Sequence, residues 1–303
     1  MSTPAVRQQR RKIGLVTVRK HATAFRMDSS PRHVAIVTGA NHGIGAAIAE
    51  TLARNDIAVL CAYLRAEDEE DGKPAGRHAH RKDGFHRDPS SSGEEVALEI
   101  RDRGGRAAAF EADLRDPTAP ARIFDAAEEL LGPVDILINN ASGWVQDTFR
   151  FDGEPDQFGR TTVPVDHETI SQQFAVDAHA PALLIAELAR RHRAREADWG
   201  RIVGLTSGGD LGFPGEVSYG AAKAAQTHYT MSAAVELVPD GITANVVHPP
   251  VTDTGWVTDE VRDYVRASSS HFHIANPAEV AATVAFLVSY DADLITGNVI
   301  TMR

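Results

Sequence analysis

From His33 onward the chain alternates short, almost uninterrupted apolar runs with longer segments in which apolar residues recur every three to four positions. The runs at 33–38, 57–63, 106–112, 134–139, 201–206, 242–248 and 298–301 read as strands. The segments at 94–103, 120–131, 168–191, 219–238 and 277–289 read as helices. Val134-Asp-Ile-Leu-Ile carries hardly a polar position, as expected of a strand whose two faces are both covered. Strict strand–helix alternation requires right-handed crossovers, and hence a parallel sheet with helices on both faces. The expected fold is α/β, a doubly wound parallel sheet in a single domain spanning 32–303.

Two stretches break the pattern. Residues 1–31 hold seven Lys/Arg against one acid, Asp28, the composition of a basic leader. Organelle targeting and a nucleic-acid arm share that composition, but it lacks the apolar core of a secretory signal, and an unstructured leader is the simpler reading. Residues 66–92 contain no Val, Ile or Leu and mix seven acids, five bases and three histidines. Too little apolar area is available there to offset ordering entropy, so 66–92 reads as an inserted polar surface loop. His78-x-His80 and His271-x-His273 have ligand-like spacing, but a solvated loop explains them as well and no metal site is expected.

The chain has 303 residues, 43% of them apolar and 24% charged, which is ordinary for a globular protein. The single cysteine, Cys61, excludes an intrachain disulfide and suits a reducing, cytoplasmic setting. A net charge of −11 gives no general attraction to nucleic acid or anionic membranes. No apolar run has the ~18 residues a membrane span needs.

The first strand run ends in Thr38-Gly39-Ala40-Asn41-His42-Gly43-Ile44-Gly45 and a helical segment follows. Glycine serves where the backbone takes positive φ or must approach a pyrophosphate without a Cβ between. The helix start then offers N–H groups and the positive end of its dipole to phosphate. An acid closing the next strand would accept hydrogen bonds from an adenosine ribose. Tyr63 stands there instead, with Arg65 two residues on, which points to NADP(H) rather than NAD(H). A surface arginine leading into an acidic loop is the plainer alternative.

Tyr219 and Lys223 lie one helical turn apart. A neighbouring ammonium stabilises a phenolate, so the phenol is expected to fall from ~10 toward working pH. Such a tyrosine can give a proton to a carbonyl oxygen or take it back. Twelve residues upstream, at the end of a strand run, Ser207 can polarise the same carbonyl.

These motifs, in this order, resemble the short-chain dehydrogenase/reductase family, and within it the 3-oxoacyl-(acyl-carrier-protein) reductase-like branch. The likeness covers about 33–300. It rests on Thr38-Gly-x-x-x-Gly-Ile-Gly45, Asp113-Leu114, Asn139-Asn-Ala-Ser142, Ser207, Tyr219-x-x-x-Lys223, Pro249 and the run 295–300. The resemblance implies a Rossmann-type NAD(P)(H) oxidoreductase acting on a carbonyl/alcohol pair, such as a 3-oxoacyl thioester or a bulky ketone. It makes Tyr219 the acid/base, Ser207 the substrate-orienting hydroxyl and Lys223 the holder of the nicotinamide ribose. It places Asp113 with Leu114 near the adenine, Asn140 and Ala141 along the cofactor, and 249–254 near the nicotinamide, with Thr252 and Thr254 in that segment. His42 occupies a position often basic in NADP-using relatives. A homo-oligomer, dimer or tetramer, is also implied.

The sequence departs from that pattern in places. Asp177 stands where the family has an asparagine whose main chain holds a relay water. Pro181 lacks an N–H, so the Asp177 carbonyl loses its helical partner and is expected to be the relay acceptor whatever the side chain. A merely Pro-kinked packing helix is the alternative. Ser142 replaces the last Gly of its motif, and Pro250 the Gly after Pro249. Trp144, Phe149, Phe151, Phe158, Phe213, Trp256, Tyr264 and Phe272 fall in segments at the carboxyl edge of the sheet. They suit either a bulky apolar substrate or the packing of long loops. A non-catalytic NADP-binding sensor is the rival function, set against the intact Ser207/Tyr219/Lys223 set.

Overall fold

The computed structural model describes residues 33–65, 91–156, 158–209 and 212–303. The basic leader 1–31 and all of the polar loop but Ser91 and Ser92 lie outside the described residues. Ser91 leads into a helix, and Ser92 caps it by accepting from the Glu94 N–H at 3.0 Å.

Seven strands form one parallel sheet: β1 (His33–Thr38), β2 (Ile57–Tyr63), β3 (Ala107–Glu111), β4 (Ile136–Asn139), β7 (Gly200–Leu205), β8 (Ile242–His248) and β9 (Val299–Thr301). Their spatial order is β3-β2-β1-β4-β7-β8-β9. Two-residue strands β5 (Asp147–Thr148) and β6 (Val163–Pro164) pair by themselves in the loop after β4. The helices are α1 (Gly43–Arg54), α2 (Gly93–Asp102), α3 (Ala119–Leu130), α4 (His167–Phe174), α5 (Ala180–Ala194), α6 (Val217–Glu236), α7 (Asp259–Ala267) and α8 (Pro277–Leu287). This is the doubly wound fold the alternation predicts.

Two-residue strand periodicity divides the core into two layers. Ala35, Val37, Val59, Cys61, Ile136 and Ile138 face α1, α2 and α8. Their neighbours Val34, Ile36, Ala58, Leu60 and Leu137 face α3, α5 and α6. Every one of these strand residues is 5% exposed or less, which explains why the runs show no polar alternation.

The expected single helix over 168–191 is interrupted. α4 opens into a π-turn at Ala175–His179 before α5 resumes. Pro181 can neither donate to the carbonyl four residues back nor accommodate it sterically, and widening the turn by one residue relieves both conflicts.

The chain runs outward from β1 to β3 and returns to β4 on the other side of β1. The two connections therefore diverge above the carboxyl ends of β1 and β4 and leave a crevice there. The amino edge is filled instead. His33 Nδ1 meets Asp135 Oδ2 at 2.9 Å, Arg195 reaches Asp135 at 2.5 Å, and the His33 ring stacks on Trp199 with centroids 3.9 Å apart.

Candidate active site

The crevice floor is the turn between β1 and α1. Gly39 and Gly43 hold φ of +64° and +55°, conformations that carry little cost only for glycine. A Cβ on Gly39 would lie 2.9 Å from the Ala141 Cα, and one on Gly45 would lie 2.0 Å from the Gly39 carbonyl oxygen. Asn140 Nδ2 donates to the carbonyls of Thr38 (2.9 Å) and Gly39 (3.2 Å). Thr38 Oγ1 accepts from the N–H groups of Asn140 and Ala141 at 3.0 and 3.1 Å. Thr254 closes over the turn, its Cγ2 3.0 Å from where a Gly43 Cβ would stand. Thr252, 5% exposed, bonds through Oγ1 to the Pro250 carbonyl at 2.8 Å and fixes the segment after Pro249.

His42 is the N-cap of α1 but makes no side-chain capping bond, and the first turn holds no acid. The leading N–H groups of α1 thus keep their affinity for an anion. A pyrophosphate fits this cradle. Ile44 packs on the core layer beneath, and Asn41 turns inward to donate to the Ser91 carbonyl at 3.1 Å.

At the end of β2 the structure engages both expected cofactor residues. Tyr63 Oη accepts from Ser92 Oγ at 3.0 Å, and its ring lies where a Gly93 Cβ would be 2.4 Å away. It is a platform for the start of α2. The Arg65 fork is bound to Glu111 of the neighbouring strand, Nε–Oε1 at 3.0 Å and a terminal nitrogen to Oε2 at 2.7 Å. These bonds hold the Glu111 carboxyl below its usual range and the Arg65 guanidinium above its own. An acid therefore stands beside the arginine after all, supplied from the next strand. Asp113, past the end of β3, pairs with Arg115 at 2.7 Å, and Leu114 packs on the second core layer.

The chemistry-bearing side chains come from three further elements. Ser207 lies two residues beyond the end of β7, Tyr219 and Lys223 in the first turns of α6, and Asp177 in the π-turn. Lys223 is 2% exposed, and its Nζ forms an ion pair with Asp177 Oδ1 at 3.0 Å and donates to Gln226 Oε1 at 3.1 Å. Nζ also stands 5.8 Å from the centre of the Tyr219 ring. Burial alone pushes the ammonium down, but the Asp177 carboxylate and the phenol oxygen hold it above its usual value.

Tyr219 departs from the expectation drawn from its spacing to Lys223. Burial raises the phenol. Lys223 pulls it down and Asp177 pushes it back, while a hydrogen bond with Ser207 lowers it and Glu216 raises it. The net direction is upward, chiefly because the phenol is buried, and the Asp177 carboxylate behind Lys223, which the Tyr–Lys spacing does not reveal, adds to the rise.

Asp177 differs in a second respect. Its carboxylate, for which the relay expectation had no role, makes a set of contacts of its own. Oδ2 accepts from the Gly143 N–H at 2.8 Å, Ser142 Oγ at 3.2 Å and Gln173 Nε2 at 2.5 Å. Gln226 Nε2 in turn donates to the Asn139 carbonyl at 3.0 Å. Gln173, Gln226 and Ser142 were missed as members of this network. Gln173 and Gln226 lie four residues before Asp177 and three after Lys223, a helical spacing that could have found them.

The long loop after β4 is fastened to the site from outside. Buried Asp147 accepts from the Ser218 N–H at 2.9 Å, near the start of α6. Arg160 bridges Asp156 (2.6 Å) and Glu216 (2.8 Å). Burial raises the Glu216 carboxyl even against the Arg160 charge. Phe158 meets Tyr264 edge-on at 5.4 Å, Phe213 lies 5.9 Å from Tyr219, and Trp256 Nε1 donates to the Thr252 carbonyl at 2.9 Å. By contrast Phe149, Phe151 and Phe272 are 74%, 78% and 87% exposed, so loop packing does not account for them. His271 bonds Ser268 at 2.9 Å and His273 pairs with Glu279 at 2.8 Å.

A phosphate cradle at the switch point of a doubly wound sheet, facing a phenol and an ammonium, defines a dinucleotide-dependent oxidoreductase. The chain belongs to the short-chain dehydrogenase/reductase family. The family model described as enoyl-(acyl carrier protein) reductase matches residues 84–302. An uncharacterized oxidoreductase of Bacillus subtilis, YjdA, is 32% identical over 277 residues, covering 90% of this chain and 96% of that protein. The 3-oxoacyl-[acyl-carrier-protein] reductase MabA of Mycobacterium tuberculosis is 30% identical over 272 residues, 88% of this chain and 89% of that one. Among solved structures, the angucycline C-6 ketoreductase LanV with bound NADP superposes with a TM-score of 0.69 at 30% identity, covering 89% of this chain and 93% of that chain. Among the described residues no helix is long and apolar enough to cross a membrane.

Proposed function

We propose that the protein is an NADP(H)-dependent ketoreductase that interconverts a bulky ketone or 3-oxoacyl thioester and the secondary alcohol. The observation that carries this reading is the contact set joining Tyr219 to Ser207, Lys223 and, through Lys223, Asp177. Residues 39–45 and 140–141, with Thr254 above them, would hold the dinucleotide, which when bound supplies the hydride. The Ser207 hydroxyl polarises the substrate carbonyl. Tyr219 Oη gives its proton to that oxygen as negative charge develops there, and in the alcohol-oxidising direction takes it back. Lys223 is buried and fixed, so its charge acts without reorganising during the reaction.

The preference for the phosphorylated cofactor rests on Arg65, together with the NADP bound in LanV. A 2′-phosphate would share the Arg65 fork with Glu111. Arg65→Ala is expected to raise KM for NADPH about tenfold, the loss of one charge-assisted hydrogen bond, and to change KM for NADH less than threefold. Equal effects on both cofactors would remove Arg65 from the discrimination.

The three exposed phenylalanines and the anchored Trp256 support an apolar, bulky substrate. Trp256→Ala is expected to raise KM for large aryl ketones about tenfold while leaving small ketones within about threefold. Exposed Leu183, Tyr229 and Val235 on α5 and α6 support a homo-oligomer, which light scattering would size.

The test of the function is NADPH oxidation, with NADH in parallel, over β-keto thioesters, diketones and aryl ketones. Turnover with at least one of them is expected. Tight NADPH binding with no turnover across the panel would overturn the reductase reading in favour of a non-catalytic binding protein.

A further inference from the structure

Position 177 is surrounded by donors. One carboxylate oxygen receives the Gly143 N–H, the Ser142 hydroxyl and the Gln173 amide NH2, and the other faces the Lys223 ammonium. Neither glutamine can be turned to offer an acceptor. Gln173 Oε1 already accepts from the Val145 N–H at 2.9 Å, and Gln226 Nε2 is committed to the Asn139 carbonyl. An asparagine here would aim its own NH2 either at an ammonium or at a cluster of N–H and O–H donors. Only a residue with two accepting oxygens satisfies the site. Asp177 is 0% exposed, so an unmet donor there would carry its full desolvation cost. The two local departures from the family pattern thus touch each other, since Ser142 in place of glycine supplies one of the donors.

We propose that Asp177 is a positioning residue whose carboxylate clamps Lys223 to the loop after β4 and, by sharing the lysine's charge, keeps Tyr219 in its proton-donating form. This rests on the reductase reading, in which Tyr219 is the proton donor. Lys223 sits on α6 with Tyr219, and Asp177 faces it from the π-turn. Glu216, at the N-cap of α6, is the further ionisable group acting on the phenol, and Arg160 from the loop pairs with Glu216. Lys223 is the one cation in this set that acts directly on Tyr219, and Asp177 is its counter-ion. Removing that counter-ion leaves the ammonium to stabilise the phenolate unopposed.

The sign follows. Reduction needs the phenol, and its kcat/KM falls as pH rises through the Tyr219 pKa. Alcohol oxidation needs the phenolate and falls as pH drops through the same value. With Asp177 in place both limbs lie at higher pH, so reduction extends further into the alkaline range than it would with an uncharged residue at 177.

The test uses the full-length protein in six forms: parent, Asp177→Asn and Asp177→Ala, each with and without Tyr219→Phe. Phenolate formation by Tyr219 is read as the ultraviolet absorbance difference between each Tyr219-containing form and its Tyr219→Phe counterpart, without substrate. Asp177→Asn and Asp177→Ala are expected to bring that titration down by about one pH unit. The reductase pH profile should move by the same amount, reaching roughly tenfold less kcat/KM well above the parent's midpoint. Asp177→Ala introduces no competing NH2, so it reads the effect even if the asparagine variant folds poorly. A Tyr219 titration that is unchanged in a folded variant would overturn the proposal. A shifted titration in a protein that reduces none of the panel would instead sink the reductase reading and leave the clamp standing.

Discussion

Tyr219→Phe is expected to lower kcat for carbonyl reduction by about a thousandfold, the middle of the range for loss of a positioned general acid. The ring is retained, so its contact with Phe213 at 5.9 Å persists and the first turn of α6 loses no packing. NADPH affinity should stay within about threefold, because the phosphate cradle belongs to α1 and the loop after β4, well away in sequence from the lost hydroxyl. The variant should also lose the alkaline limb of the reductase profile, since the group whose deprotonation produces it is gone. Rapid-mixing turnover with a fluorescence titration of NADPH separates these effects. Retention of more than about a tenth of kcat would show that the proton comes from elsewhere and return Tyr219 to a packing role.

The same site shows where sequence reading succeeds and where it stops. β1, β2 and β8 fall on their expected residues because a continuous apolar run flanked by turns has no competing pattern. The glycine turn was equally legible: each glycine is demanded by a local φ or a close backbone approach, and both follow from adjacent sequence. α7 was missed. Val261, Tyr264 and Val265 stand at helical spacing, but in nine residues that include five charged ones they make little more than one turn of pattern, and only the two valines are buried. The pairing of Arg65 with Glu111 joins residues 46 apart, and Asp177 meets Lys223 across another 46. Such pairs depend on which strands become neighbours and on how a helix rotates, and no local spacing records that. Both long-range pairs alter an electrostatic argument made from one partner alone. Arg65 was read without its acid, and Tyr219 without its burial or the carboxylate behind its lysine; burial first, and that carboxylate after it, turn the phenol's direction upward.

Gly45→Ala is expected to have the other large effect, chiefly on cofactor binding. The added Cβ would stand 2.0 Å from the Gly39 carbonyl oxygen, 2.8 Å from the Gly39 carbonyl carbon and 2.6 Å from Asn140 Nδ2. The first two are backbone atoms, so no side-chain rotation clears the clash and the turn itself must open. Opening it breaks the Asn140 bonds to Thr38 and Gly39 that hold the end of β1 against the end of β4. The α1 amides then no longer converge on one point, and the NADPH dissociation constant should rise at least a hundredfold, about 3 kcal/mol. Gly104→Ala is the control. Gly104 also has positive φ, +86°, but its Cβ would meet nothing within 4 Å. That variant should lose about 1 kcal/mol of stability to backbone strain alone and bind NADPH unchanged. Calorimetric unfolding and a fluorescence titration on both variants decide the matter. If Gly45→Ala binds NADPH as the parent does, the turn is not the phosphate cradle and the dinucleotide site lies elsewhere. If it loses binding while Gly104→Ala does not, close backbone approach at the switch point, rather than glycine's flexibility, is what the sequence Gly39–Gly45 supplies.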